Sequence, residues 1–245
     1  MALLTLDGVS KAFAGVQAVR EVSFAVPEGA VLGVMGPNGS GKTTLFNLIS
    51  GAFRPDGGRI RLRERDVTGL PPHRMCAHGV ARTFQHARPF TGLTARDNVL
   101  VGLLYGRRRT AEGDPATAAE RLLALVGLGG KGHLPAARLS LVERRRLELA
   151  RALATGPDLL LLDEFMAGLT PAETADAMAV IRRVHAEGAT LIIVEHIVWA
   201  LLDLSDRIVV LSAGEKIADG PPAAVATDPA VIDAYLGSGG SARRA

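Results

Sequence analysis

The sequence predicts an α/β domain built on a predominantly parallel sheet, and three observations predict it. Short apolar runs alternate with longer stretches of helical spacing along the 245 residues, the pattern of strand–helix–strand units. One run, Val31–Met35, leads directly into Gly36-Pro37-Asn38-Gly39-Ser40-Gly41-Lys42-Thr43-Thr44. Another, residues 159–162, is four leucines followed by two carboxylates, Asp163 and Glu164; in open α/β sheets ligands collect at such strand ends.

In chain order, Val31–Met35 is the first core strand and residues 42–50 the helix after the glycine loop. Residues 159–162 and 191–194 are two more core strands. Residues 171–187 between them read as an amphipathic crossover helix, with Thr170 as cap and Gly188 as stop. Residues 207–211 and 216–219 form a late hairpin. From about 94 to 155 the composition shifts to Ala, Leu and Arg with helical spacing, which predicts a helical insertion whose most loop-like part is 106–115. A single domain is expected over 1–237, followed by a disordered Gly/Ser-rich tail over 238–245.

Bulk properties exclude several classes. With 48% apolar and 22% charged residues, the chain reads as soluble and folded rather than disordered. Its net charge is +3, and the basic clusters 107–109 and 144–146 are too short for a nucleic-acid footprint. The first cluster reads as solvated surface. A lone cysteine, Cys76, leaves no intrachain disulfide and fits a reducing compartment. Asp7 interrupts the first apolar stretch, which argues against a signal peptide. No run approaches the roughly 18–20 apolar residues that span a bilayer, so work at a membrane requires a partner that holds the chain there.

The chemistry starts at 36–44. The pattern G-x-x-x-x-G-K-[ST] needs glycine because the backbone must wrap a phosphate with several N–H groups pointing inward. Lys42 supplies a charge for the outer phosphates and Thr43 a hydroxyl for magnesium, while the helix that starts here adds its positive end. These residues predict ATP with Mg2+ as the ligand. At the end of the leucine strand, Asp163 would hold the metal through water and Glu164 would polarise an attacking water.

Order and spacing resemble the ATP-binding subunit of an ABC transporter over nearly the whole chain. The resemblance implies a P-loop NTPase core, an antiparallel β subdomain near the N-terminus and a helical subdomain at about 94–155. Arg82-Thr83-Phe84-Gln85 resembles the glutamine loop, so Gln85 would complete the metal shell and report nucleotide state to the membrane subunit. Val194-Glu195-His196 resembles the switch histidine, with His196 at the terminal phosphate. Phe13 falls where the family places an aromatic against adenine, and 167–171 where it places an inter-subunit loop. Phe165 stands where a proline is common.

The family signature is usually written LSGGQ, and here the stretch reads Leu139-Ser140-Leu141-Val142-Glu143. In the family this segment closes in trans over ATP held by a second ATPase subunit, identical or different. Ser140 keeps the hydroxyl expected at the terminal phosphate; both glycines are gone, and Glu143 brings a negative charge. Ser140-x-x-Glu143 is also a capping-box pattern, which would fold Glu143 back onto the N–H of Ser140, with residues 144–146 offsetting its charge. A degenerate signature and a weakly hydrolysing regulatory subunit form the alternative, and a soluble non-transport ABC ATPase another.

Stretches 43–51, 68–73, 81–85, 93–102 and 220–237 resemble the branched-chain amino-acid uptake group, with related urea and amide groups sharing much of the pattern. That implies transmembrane permease subunits, indirectly a solute-binding protein, and a peripheral position at the cytoplasmic face of the membrane.

Overall fold

The computed structural model describes residues 1–84, 89–107 and 114–236; Gln85, most of the loop expected at 106–115 and the tail 238–245 lie outside them. Backbone contacts divide the chain into two compact units, Met1–Pro71 with Ile192–Ala245, and Pro72–Leu191. The first unit starts with β1 (Ala2–Phe13), β2 (Val16–Pro27), β3 (Val31–Met35), α1 (Lys42–Ile49), β4 (Gly57–Leu62) and β5 (Arg65–Asp66). The second holds α2 (Pro72–Ala77), β6 (Val80–Arg82), α3 (Ala95–Tyr105), α4 (Pro115–Leu125), α5 (Leu141–Ala154), β7 (Leu159–Asp163) and α6 (Pro171–Ala186). Within β8 (Thr190–Val194) the chain returns to the first unit. That unit ends with α7 (Val198–Leu204), β9 (Arg207–Ser212), β10 (Glu215–Gly220), α8 (Pro222–Ala226) and α9 (Pro229–Leu236).

In the first unit β2-β1-β4-β5 form an antiparallel sheet, the expected N-terminal subdomain. Leu4, Leu6 and Val9 of β1 are buried, and the β1–β2 register shifts between Leu6 and Val9, around Gly8 at φ +58°. β3 is buried along its whole length, as a strand covered on both faces must be. It runs parallel to β9, from Leu32 beside Arg207 to Met35 beside Val210. β9 and β10 make the predicted hairpin, antiparallel.

In the second unit β6 runs parallel to β7, with Val80 beside Leu159 and Arg82 beside Leu161. The predicted insertion consists of α3, α4, a 3-10 turn at Ala136–Arg138 and α5. Its core is Val99, Leu103, Ala119, Leu123, Leu147 and Ala150, all buried. Thr94, Ser140 and Thr170 each open a helix with a reciprocal capping box, worth about 1 kcal/mol apiece. The crossover helix α6 ends with Glu187 as cap and Gly188 at φ +92°, the predicted stop. Arg107 is exposed, as expected of that cluster, and its guanidinium also pairs with Asp158 at 2.5 Å, whose side chain is 8% exposed. A carboxylate that deep requires a counter-charge.

Candidate functional site

The phosphate loop is shaped by three left-handed or mirror-region glycines: Gly36 at φ +148°, Gly39 at +78° and Gly41 at +105°. At two of them space is also lacking. A Cβ on Gly36 would sit 2.1 Å from the Leu211 carbonyl oxygen, and one on Gly41 2.3 Å from that of Ala18. Nothing lies within 4 Å of a Cβ on Gly39, which with Asn38 forms the exposed tip beyond the half-buried Pro37. Gly41 is the N-cap of α1 and no side chain caps that end, so the first-turn amides of Lys42, Thr43 and Thr44 meet a helix terminus suited to an anion.

Two polar side chains sit inside this loop. Lys42 is buried and its ammonium donates to the carbonyls of Gly36 at 2.7 Å and Pro37 at 3.0 Å. The Ser40 hydroxyl is buried without a hydrogen-bond partner among the described residues. An orphaned buried hydroxyl costs free energy until something bonds it. Together with the glycine cradle it fits a phosphate group. Thr43 is exposed at the first turn of α1, a hard oxygen donor of the kind magnesium takes along with phosphate oxygens.

Elsewhere in the first unit Phe13 closes β1, 41% exposed. Phe53 meets its ring edge-on at 5.2 Å and the Lys11 ammonium lies 5.5 Å from its centroid. One aromatic face is thus braced while surface remains for a flat ring to stack on. Lys11 is itself held by Asp56 at 2.7 Å. His196 is exposed, directly after β8, and follows the buried Glu195. The phenol oxygen of Tyr235, on α9, accepts the Gly36 N–H at 2.8 Å. Sequence reading missed Tyr235 and Phe53. No periodicity links Tyr235 to a glycine 199 positions away.

In the second unit Asp163 ends β7, buried, and pairs with the Arg82 guanidinium at 2.6 Å. Its N–H donates to the Thr83 hydroxyl at 3.3 Å. Glu164 follows at φ +49°, partly exposed. For a residue with a Cβ, that left-handed conformation is uncommon and costs of order 1 kcal/mol or more. Phe165, where proline is common, is buried, and its carbonyl accepts from Arg145 at 3.2 Å.

The signature stretch departs from expectation in one detail. Ser140 caps α5, Glu143 N–H donates to its hydroxyl at 3.2 Å, and the Ser140 N–H returns a bond to the Glu143 carboxylate at 2.8 Å. The capping box forms as predicted. The counter-charge does not come from 144–146: Arg144 turns to the Ala137 carbonyl at 2.6 Å and Arg145 to those of Phe165 and Ala167. Lys131 takes that place, ion-paired with Glu143. Its bond is the main cause, with the Ser140 N–H second, that holds the Glu143 carboxyl below the usual range. Further along α5, the buried Glu148 accepts the Phe84 N–H at 3.0 Å, which ties the signature helix to the residue before Gln85. Gln85 itself is not among the described residues.

Among the described residues no helix is long and apolar enough to cross a membrane, and no group of three or more His, Cys, Asp or Glu could hold a metal by itself.

Comparison with known proteins places these features in context. The family described as ABC transporter matches residues 19–167, and the family described as branched-chain amino acid ATP-binding cassette transporter matches 215–241. The chain is 38% identical over 251 residues to the high-affinity branched-chain amino acid transport ATP-binding protein LivG of Salmonella typhimurium, covering 96% of this chain and 98% of that protein. It is 39% identical over 249 residues to BraF of Pseudomonas aeruginosa, the corresponding protein by name, with the same coverage of 96% and 98%. Among solved structures, the ADP conformation of MJ1267, an ATP-binding cassette of an ABC transporter, superposes with a TM-score of 0.87 at 31% identity, over 97% of this chain and 99% of that one.

Proposed function

This chain belongs to the ABC transporter family as an ATP-binding subunit, and from that premise we propose that it powers uptake of branched-chain amino acids through transmembrane permease subunits at the cytoplasmic face of the membrane. The observation that carries the substrate class is the end of the chain, where residues 215–241 match the branched-chain group's own family. A solute-binding protein would deliver the amino acid to the permease. The test is reconstitution of the chain with its permease subunits in vesicles, reading phosphate release. Stimulation by leucine-loaded binding protein is the expected result. Stimulation by urea or a short amide alone would overturn the substrate class.

In the proposed cycle two ATPase subunits, identical or different, bind two ATP molecules head to tail, each phosphate loop meeting the partner's Ser140. Lys42 supplies positive charge to the outer phosphates and the amides of 36–44 wrap them. The opposing Ser140 hydroxyl closes on the terminal phosphate, Phe13 stacks on adenine, and His196 contacts the terminal phosphate. Thr43 and Gln85 would hold Mg2+ directly and Asp163 through water; the ion supplies Lewis-acid charge to the phosphoryl oxygens. Glu164 orients the water for in-line attack, and hydrolysis reopens the dimer.

Support for the coupling route comes from α5, which carries Ser140 at one end and grips the Phe84 amide through Glu148. Phe84, Phe90 and Leu93 are exposed apolar side chains, 56%, 45% and 37%, and the last two lie in 90–99, part of the region after Gln85 that would pull on the permease.

The Lys131–Glu143 pair yields a prediction for this reading. Lys131→Met removes the cation that engages the Glu143 carboxylate, so ATP-driven dimerisation should weaken, at most about fivefold for so exposed a pair. Glu143→Gln in the same chain should restore it, since Gln also completes a capping box. Sedimentation of the two variants with ATP decides. Equal dimerisation in both would show that the charge at 143 has no bearing on docking.

A further inference from the structure

The peptide bonds on either side of Gly36 are held by groups from two different places. The Gly36 N–H donates to the Tyr235 hydroxyl, and its carbonyl accepts from the Lys42 ammonium. Gly36 has the torsional freedom of glycine at φ +148°, so these contacts decide where the entry to the phosphate loop stands. The Lys42 ammonium has three donors, two of them spent on the Gly36 and Pro37 carbonyls, so phosphate oxygens would share it with the loop. The Tyr235 contact makes no demand on the nucleotide and can persist. Tyr235 is 42% exposed, and its covered part pushes the phenol upward, with the Gly36 N–H opposing, so the hydroxyl is neutral near pH 7 and the bond is not titrated away.

We propose that α9 is a latch on the nucleotide site, with Tyr235 as a positioning residue that fixes Gly36 so that the loop keeps its shape when Lys42 is shared with the phosphates. This gives a role to the C-terminal segment 215–241, and rests on the reading that 36–44 cradles the phosphates. Binding is where the latch acts. Without it the loop must be ordered by the ligand, which weakens affinity and leaves hydrolysis at saturating ATP nearly unchanged.

Tyr235→Phe keeps the ring and removes only the oxygen. Loss of one hydrogen bond predicts about fivefold weaker binding of fluorescent ATP and ADP analogues and a KM raised equally, with kcat within about twofold. Ile232→Ala, an exposed change on the same helix, should bind as the parent does, and melting curves should show all chains folded. Unchanged nucleotide affinity in Tyr235→Phe, or a fall in kcat with KM unmoved, overturns the latch. Lys42→Ala separates the two readings: if it abolishes binding while Tyr235→Phe does not, only the latch fails. If neither variant loses binding, the phosphate-loop reading fails with it.

Discussion

Glu164→Gln slows ATP turnover by about 10²–10⁴-fold, the usual worth of a positioned general base, while ATP still binds. The amide keeps the size of the carboxylate and loses its ability to take a proton from water. Backbone strain at φ +49° is the same for Glu and Gln. A dimer closed over ATP should therefore accumulate, visible as an ATP-dependent shift in gel filtration beside a flat phosphate-release trace. Ordinary turnover in this variant would remove Glu164 from the chemistry and leave Asp163, already engaged by Arg82, as the remaining carboxylate at the strand end.

Gly41→Ala should cost about 10²-fold in ATP affinity, and Gly39→Ala far less. Both residues are left-handed, so both substitutions bring backbone strain of about 1–3 kcal/mol. Only Gly41 adds a collision, since its new methyl would lie 2.3 Å from the Ala18 carbonyl of β2. That oxygen belongs to a strand backbone and cannot swing aside as a side chain would. Relief therefore has to come from the loop, by turning the first amides of α1 out of line. Titration of both variants with a fluorescent ATP analogue checks the ranking. Equal losses would mean that strain, not crowding, sets the effect.

Most of the architecture was legible because it is written in local pattern. β3 has the predicted bounds, since four apolar residues around one glycine, directly before a glycine loop, admit little else. The α6 start followed from Thr170 and Pro171, and the α5 start from Ser140 with Glu143, because capping is a contact over three residues. What failed was contact between distant positions. The three arginines 144–146 looked like the counter-charge for Glu143 by proximity alone. On a helix successive side chains diverge by about 100°, and Glu143 folds back toward the N-terminus, so a lysine in the preceding loop reaches it instead. Arg107 with Asp158, and Tyr235 with Gly36, are invisible for the same reason. The left-handed backbone at Glu164 is likewise set by the chain's path after β7, which no propensity for glutamate anticipates.

That backbone has a consequence for anyone evolving this protein. Asparagine and glycine tolerate φ +49° better than glutamate does, so a library sorted for heat tolerance alone should enrich them at position 164. The survivors would melt later and release almost no phosphate. If Glu164 is the proposed base, a directed-evolution campaign on this scaffold has to score turnover at every round, because scoring melting alone would exchange that glutamate for a degree or two of melting temperature.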